Sequence, residues 1–453
     1  CLAWPGRASI FKYPLIKFSL GTGLGFGIAS LFFMAWVFVL GPKDGFVPSV
    51  LTELVLLFTA AIIIALRISK RGALPQLKDR STSEDPKDLS MLGNVLRYSI
   101  WAVLLMSIVS FIGITLRYPN GGWDAVAIWN MHARFLFRGG ADWVNLFSPA
   151  LAWWIHADYP FLIPGMIARC WEFIGKDPLW VPAGIAFFFT LAAVGVVSAS
   201  LSMVKGRLDG LLGGVLVMGT PFFIKNGAMQ YADIPLSFFF CASLALFCIV
   251  DHSYDERQKL LPLTGLLAAF AAWTKNEGIV FLILLMAARF VIVTRVRGLK
   301  ASVKEANLLA IGVMPVALIL VYFKLHYAPS SDFFTGDSAA NLTDLSRYFF
   351  VLEAFKNKFF NFGAFYIGAM PLLLLYLFMS GIDAKKDFYV LLTPLITLVL
   401  MAGSYFFAYL ISPYDLNWHI QMSIERLFFQ IWPSMIFLTF MLAKPIELKK
   451  RYP

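Results

Sequence analysis

"YPFLIPGMIARCWEFIG", residues 159–175, decides how this chain is laid out. Read as a membrane span, it would move every later loop to the opposite side of the bilayer. It carries Pro160 and Pro164 near its start and Arg169 and Glu172 near its end. Its apolar run is also short against the ~20 residues that a spanning helix needs. The segment is therefore expected to be a horizontal or re-entrant helix, and 118–177 to contain no complete crossing.

The rest of the chain supports this choice. It has 453 residues, 59% hydrophobic and 14% charged, with a mean hydropathy of +0.73. So much apolar surface calls for lipid as solvent, and apolar runs recur with no soluble-domain-sized gap between them. Backbone groups in hydrocarbon must be satisfied within helices or a closed barrel, and these runs lack strand alternation. The expectation is an all-α polytopic protein of about twelve spans, the first three near 19–41, 49–67 and 99–117.

The net charge of +11 reads as positive-inside bias, not nucleic-acid binding. Lys70, Arg71, Lys78, Arg80, Lys87 and Arg97 mark 68–98 as cytoplasmic. "KGRLDG" (205–210), "DERQK" (255–259), "TRVRGLK" (294–300), "DAKK" (383–386) and "KKR" (449–451) join them on one side if 159–175 does not cross. Both termini are then cytoplasmic. Acids on that side, such as Asp255 and Glu256, read as solvated. A start at Cys1 without Met suggests a processed lipoprotein or an incomplete N-terminus, and Arg7, Lys12 and Lys17 favour the second. Cys1, Cys170, Cys241 and Cys248 form no CxxC pair and read as small hydrophobes.

The motifs with chemistry then fall on the other face. "GGWDAVAIWNMHAR" (121–134) places Asp124 at the mouth of a helix among tryptophans. Asp124 reads either as a helix cap or as a partly desolvated base. "WWIHADYPFLIP" (153–164) sets His156 two residues from Asp158; the pair suits acceptor binding or, with Asp124, a divalent metal. Trp153 and Trp154 beside it suit sugar stacking or interface anchoring. "MQYADIPLSF" (229–238) puts Asp233 ahead of Pro235, again as a cap or a site acid. In "AAWTKNEGIVF" (271–281), Lys275 either snorkels to headgroups or meets an anionic substrate. In "WHIQMSIERLFFQIWP" (418–433), Arg426 suits a phosphate held in a bidentate fork, unless neighbouring Glu425 neutralises it. No Walker loop, GxGxxG, GxSxG or HExxH motif is present.

In order, "WDAVAIWNMHAR", "DYPFLIP", "YADIP" and "WTKNEG" resemble the membrane-embedded GT-C glycosyltransferases. The likeness is to bacterial members similar to protein O-mannosyltransferases and the lipid A aminoarabinose transferase. It covers roughly 98–300, and the C-terminal third only loosely. The resemblance implies a GT-C-type bundle with an outward active-site loop and juxtamembrane helices. It divides the chain into an N-terminal hairpin with a basic loop (1–97), a catalytic core with outward loop 118–177 (98–300), and C-terminal helices (301–453). It aligns Asp124 with the catalytic base, Asp233 with the acid of the second loop, Asp158 with a site carboxylate near the donor phosphate, and Lys275 with the Thr-Lys turn. Tyr159 stands where some members have lysine. The implied activity is inverting transfer from a polyprenyl-phosphate-linked sugar to a lipid, glycan or protein acceptor, at the periplasmic face of a bacterial inner membrane. A transporter or flippase of lipid-linked sugars, or a periplasmic glycan polymerase or ligase, is the alternative. A transporter would be expected to carry ionisable residues within spans in both halves of the membrane.

Overall fold

The computed structural model describes residues 14–71, 91–151, 153–252, 258–330, 337–363, 368–383 and 388–445. Arg7, Lys12, Lys78, Arg80, Lys87, Asp255, Glu256 and the "KKR" terminus lie outside them, as does most of "DAKK". The described chain is helical throughout, with a single isolated bridge, Ile382 to Ala443, in place of any strand.

The helices run α1 (Pro14–Leu40), α2 (Pro42–Arg71), α3 (Met91–Arg117), α4 (Asn130–Arg138), α5 (Leu162–Ile174), α6 (Trp180–Val204), α7 (Arg207–Met218), α8 (Pro221–Ala228) and α9 (Asp233–His252). After them come α10 (Leu261–Thr274), α11 (Asn276–Arg297), α12 (Leu299–His326), α13 (Asp337–Thr343), α14 (Leu345–Asn361), α15 (Ala369–Ser380), α16 (Tyr389–Leu410) and α17 (Leu416–Leu442). Among the described residues eight helices are long and apolar enough to cross a membrane, or nine if the bent pair α7–α8 is one span. This is a membrane protein by length and composition. The difference from about twelve lies in α10 and α15, which are short, in α7–α8, bent by 61°, and in α17, which carries Glu425, Arg426 and Gln430 along its length.

The segment 159–175 forms α5, 13 residues long, and so only ~20 Å at 1.5 Å per residue. The charges that argued against a crossing have a structural use. Arg169 grips Glu53 of α2 in a two-point fork, Nε to Oε1 at 3.0 Å and Nη2 to Oε2 at 2.5 Å.

Position in the bundle follows from how much apolar surface each helix hides. The apolar window of α9 is 100% buried and that of α6 72%, against 6% for α2 and 11% for α3. Thus α9 is the central post, and α2 and α3 show their leucines and phenylalanines to lipid. Helix α1 belongs to the centre too. Gly23 and Gly27 let it close on Phe238 of α9 and Phe270 of α10, where an added Cβ would lie 2.2 and 2.6 Å from ring atoms. Ser30 of α1 donates to the Phe161 carbonyl at 2.9 Å and accepts from the Trp273 indole at 3.3 Å.

At one end of the bundle the expected basic turns meet. Lys205 lies 3.8 Å from Asp383, the Asp383 amide donates to Leu442 O, and Arg297 donates to Asp251 at 2.9 Å. The motifs with chemistry were expected on the opposite face, yet buried charge is found at this end as well. Asp251, Arg289 and Glu305, all nearly inaccessible, form a buried ion network at this end. Arg289 Nη1 and Nη2 donate to Asp251 at 2.5 and 2.7 Å, its Nε donates to Glu305, and Nη1 reaches Thr393 at 3.2 Å. Arg289 and Glu305 sit one turn from basic loops but within apolar helices, which is why a loop-based reading passes over them.

Candidate functional site

At the other end of α9, four of the residues singled out in the sequence converge. Asp233 opens α9 with its side chain 0% exposed and does not cap it; its oxygens turn to other helices. Oδ1 accepts from Lys275 Nζ at 3.0 Å and from Gln430 Nε2 at 2.6 Å. Oδ2 accepts from Arg426 Nε at 2.9 Å. Arg426 Nη2 then donates to Asp124 Oδ2 at 2.5 Å. Asp124 likewise makes no capping bond to the turn it precedes. Both acids face a cation, so the helix-cap reading of each gives way.

Local backbone explains how two acids 109 positions apart in sequence share one guanidinium. Gly121 has φ +78, and an added Cβ would lie 2.6 Å from Ala125 Cβ and 2.8 Å from Met229 O. That position needs glycine on both counts. The next amide, Gly122 N–H, donates to Met229 O at 2.9 Å. Gln230, itself left-handed at φ +60, donates to Pro119 O at 3.2 Å and accepts from Asn130 at 3.1 Å. The loop bearing Asp124 is thereby fastened to the loop bearing Asp233. The cations arrive from elsewhere: Lys275 from the extended link between α10 and α11, Arg426 from α17. Gln430 lies one turn beyond Arg426 on the same helix face.

Around this centre are residues that sequence reasoning missed. Glu277 takes Lys275 Nζ at 2.8 Å and lies 3.3 Å from Gln430 Nε2. Tyr405 of α16 donates to Gln430 Oε1 at 2.8 Å, which fixes the orientation of that amide. Tyr231 lies under Arg426, 5.0 Å from ring centroid to Cζ, and burial raises its phenol pKa. Gln430 is a polar residue inside the apolar run "LFFQIWP", a signal that was available. Tyr405 had none. Glu425 is corrected as the partner of Arg426: it faces Lys358 at 3.5 Å, and Asp124 and Asp233 do the neutralising.

His156 and Asp158 stand on the shoulder of the site. Asp158 Oδ2 accepts from Asn276 at 2.6 Å, while Lys324 donates to Asp158 O at 2.5 Å and to Asn276 Oδ1 at 2.8 Å. Asp158 thus ties its loop to the start of α11. The His156 ring stacks on Tyr159 at 4.7 Å, and Trp129 stacks on Tyr159 at 5.5 Å. Burial lowers the His156 pKa, with Asp158 opposing, and burial raises Tyr159 well above the usual phenol. Among the described residues no group of three or more His, Cys, Asp or Glu is placed to hold a metal. We therefore derive no step through one. Trp153 and Trp154 are about half exposed, and Trp153 stacks on Tyr414 at 5.1 Å, forming an aromatic rim.

The charges define what the centre can do. Asp124, Asp233 and Glu277 face Lys275 and Arg426, three carboxylates against two cations. Burial alone would depress the Lys275 ammonium, but Asp233 and Glu277 outweigh it and hold its pKa above the ordinary lysine value. Both cations are therefore present at neutral pH. Arg426 keeps 23% of its side-chain surface open, Glu277 22% and Asp124 11%, so a ligand reaches the centre from the loop side. Comparison with known proteins returned no matching family model, no matching curated sequence and no matching solved structure.

Proposed function

We propose that this protein is an inverting glycosyltransferase of the GT-C kind, moving a sugar from a polyprenyl-phosphate donor to an acceptor hydroxyl or amine. One observation carries the reading. Asp124, Asp233, Lys275 and Arg426, each named from its own motif, meet in one partly open cluster. In this reading about twelve helices cross or enter a bacterial inner membrane, both termini are cytoplasmic, and the cluster faces the periplasm. There nucleotide sugars are scarce and a lipid-carried donor supplies the sugar.

Asp124 takes the proton of the acceptor O–H or N–H as that atom bonds to the anomeric carbon. The bond from the anomeric carbon to the phosphate oxygen breaks, and its electron pair leaves with the phosphate. A lipid phosphate is a good leaving group and needs positive charge instead of an acid, which Arg426 and Lys275 supply. Asp233 holds both cations in place. Asp158 acts through its bonds to Asn276 and Lys324, shaping the loop beside the acceptor. The rim of Trp153 and Trp154 offers flat faces for sugar rings.

The test is single-turnover transfer with a lipid-phosphate sugar. Asp124→Asn is expected to lower it by about 10²–10⁴-fold, the usual worth of a general base. Near-normal turnover would end the mechanism. A second reading, transport of a lipid-linked sugar, is favoured by the Asp251–Arg289–Glu305 network, because it places buried charge at the far end of the bundle. Flux of labelled lipid-linked sugar across proteoliposomes, without transfer, would establish that reading instead.

A further inference from the structure

The two acids that share Arg426 are not held alike. Asp233 is buried, and three donors from two elements grip it: Lys275 from the link between α10 and α11, and Gln430 and Arg426 from α17. If Arg426 moved away, Asp233 would still have an ammonium at 3.0 Å and an amide at 2.6 Å. Among the described residues Asp124 has Arg426 as its only hydrogen-bond partner. It also lies nearer the opening.

The guanidinium is divided in the same sense. Its Nε, and Nη2 at 2.9 Å, address Asp233 Oδ2. Nη2 also donates to Asp124, and Nη1 makes no hydrogen bond to protein among the described residues. The edge formed by Nη1 and Nη2 is the one left open here, and it offers two parallel N–H groups to a phosphate. A phosphate on that edge competes with Asp124 for Nη2 while leaving Nε on Asp233. The guanidinium need not turn, and Tyr231 stays beneath it.

We infer that Asp124 is a displaceable ligand of Arg426 and Asp233 its permanent one, so that a bound phosphate group takes the place of Asp124 and releases its carboxylate. Lys275 and Gln430 are then positioning residues, which keep Asp233, and through it Arg426, in register. The inference rests on the glycosyl-transfer reading and adds an order to it. Before the donor is seated, the carboxylate oxygen is tied to its cation. Once released, that oxygen is free to accept the acceptor's proton. Donor therefore binds before acceptor, and water or acceptor alone meets a masked base.

The experiment is equilibrium binding of a short-chain polyprenyl phosphate, with the matching polyprenol as uncharged control, to the full chain in nanodiscs. Asp124→Asn removes the competing charge and should tighten phosphate binding roughly three- to tenfold, the range for a partly buried ion pair. Polyprenol binding should not change. Arg426→Ala should abolish the preference for phosphate over alcohol, and Arg426→Lys, which cannot fork, should retain only part of it. Asp124→Ser serves as a second variant should the Asn protein fold poorly. If removing the Asp124 charge leaves phosphate binding unchanged or weaker, while Arg426→Ala still loses the preference, partner exchange is wrong and the donor site stands. If the wild-type protein prefers the phosphate no more than the alcohol, the donor reading fails and takes this inference with it.

Discussion

The ion pair between Lys275 and Asp233 gives the most exacting test of the cluster as a built unit. Lys275→Met removes the ammonium but keeps most of the chain's volume. The Nζ–Oδ1 distance is 3.0 Å and the two side chains are 4% and 0% exposed. At the effective dielectric of about 20 that suits such pairs, this separation is worth about 5 kcal/mol before desolvation. Breaking a buried pair by deleting one partner usually costs about 3–5 kcal/mol, because the other charge stays buried. Here Asp233 retains Arg426 and Gln430, which puts the expected loss near the lower bound, about 3 kcal/mol. Asp233→Asn is milder, since Lys275 falls back on Glu277 at 2.8 Å and Arg426 on Asp124 at 2.5 Å. The double variant leaves neither charge stranded, so the two effects should fall short of additivity by about 2 kcal/mol. Reversible unfolding in mixed micelles, followed by tryptophan fluorescence, measures all four proteins. Additivity within about 0.5 kcal/mol would show that the two groups do not interact, and would refute the reasoning.

Other expectations follow from single contacts. His132 is inaccessible; its Nε2 donates to Ile155 O at 2.8 Å and its Nδ1 has no hydrogen-bond partner, so it is neutral, and burial lowers its pKa to about 4. The unfolded chain binds a proton near pH 6.5 that the fold refuses, so stability is present above that pH and falls as pH drops from about 6.5 to 4. His132→Gln should flatten this acid limb in a melting series, and an unchanged limb would show that another group causes it. Single cysteines beside Gly206 and Gly298 should react only from the cytoplasmic side, whereas labelling by an impermeant periplasmic reagent would invert the layout built on α5. Transfer should persist in chelator, because His156 and Asp158 have no third metal donor among the described residues. Loss of transfer that added Mg²⁺ or Mn²⁺ restores would reinstate the metal.

What could be read from the sequence was set by how local the cause is. Two prolines and two charges within 159–175 are enough to make α5 short, and it is short. An acid or cation at the mouth of an apolar run signals a site by its own solvation cost, so Asp124, Asp233, Lys275 and Arg426 could each be named separately. Their partners could not. Arg426 and Asp124 are 302 positions apart, and only the packing of α17 on α9 brings them within 2.5 Å. Sequence adjacency pointed to Glu425, which a helix turns about 100° away from its neighbour toward Lys358. Arg289 and Glu305 were not singled out, because the two acids that neutralise Arg289 come from two other helices, Asp251 from α9 and Glu305 from α12.

The two ion networks sit at opposite ends of one helix, and comparing them shows which can serve a ligand. Asp233 and Asp251 are 18 residues apart on α9, about 27 Å at 1.5 Å per residue. At the Asp251 end two acids meet two arginines, and Arg289 spends all three of its nitrogens on Asp251, Glu305 and Thr393. That network is balanced in charge and leaves Arg289 no free nitrogen, and it fixes α9 against α11, α12 and α16. At the Asp233 end Arg426 keeps an open edge, and one acid is held by a single bond. Such a centre gains partners when a ligand arrives. With α9 anchored at its far end, that exchange falls on Asp124, the one carboxylate of the cluster held by a single partner.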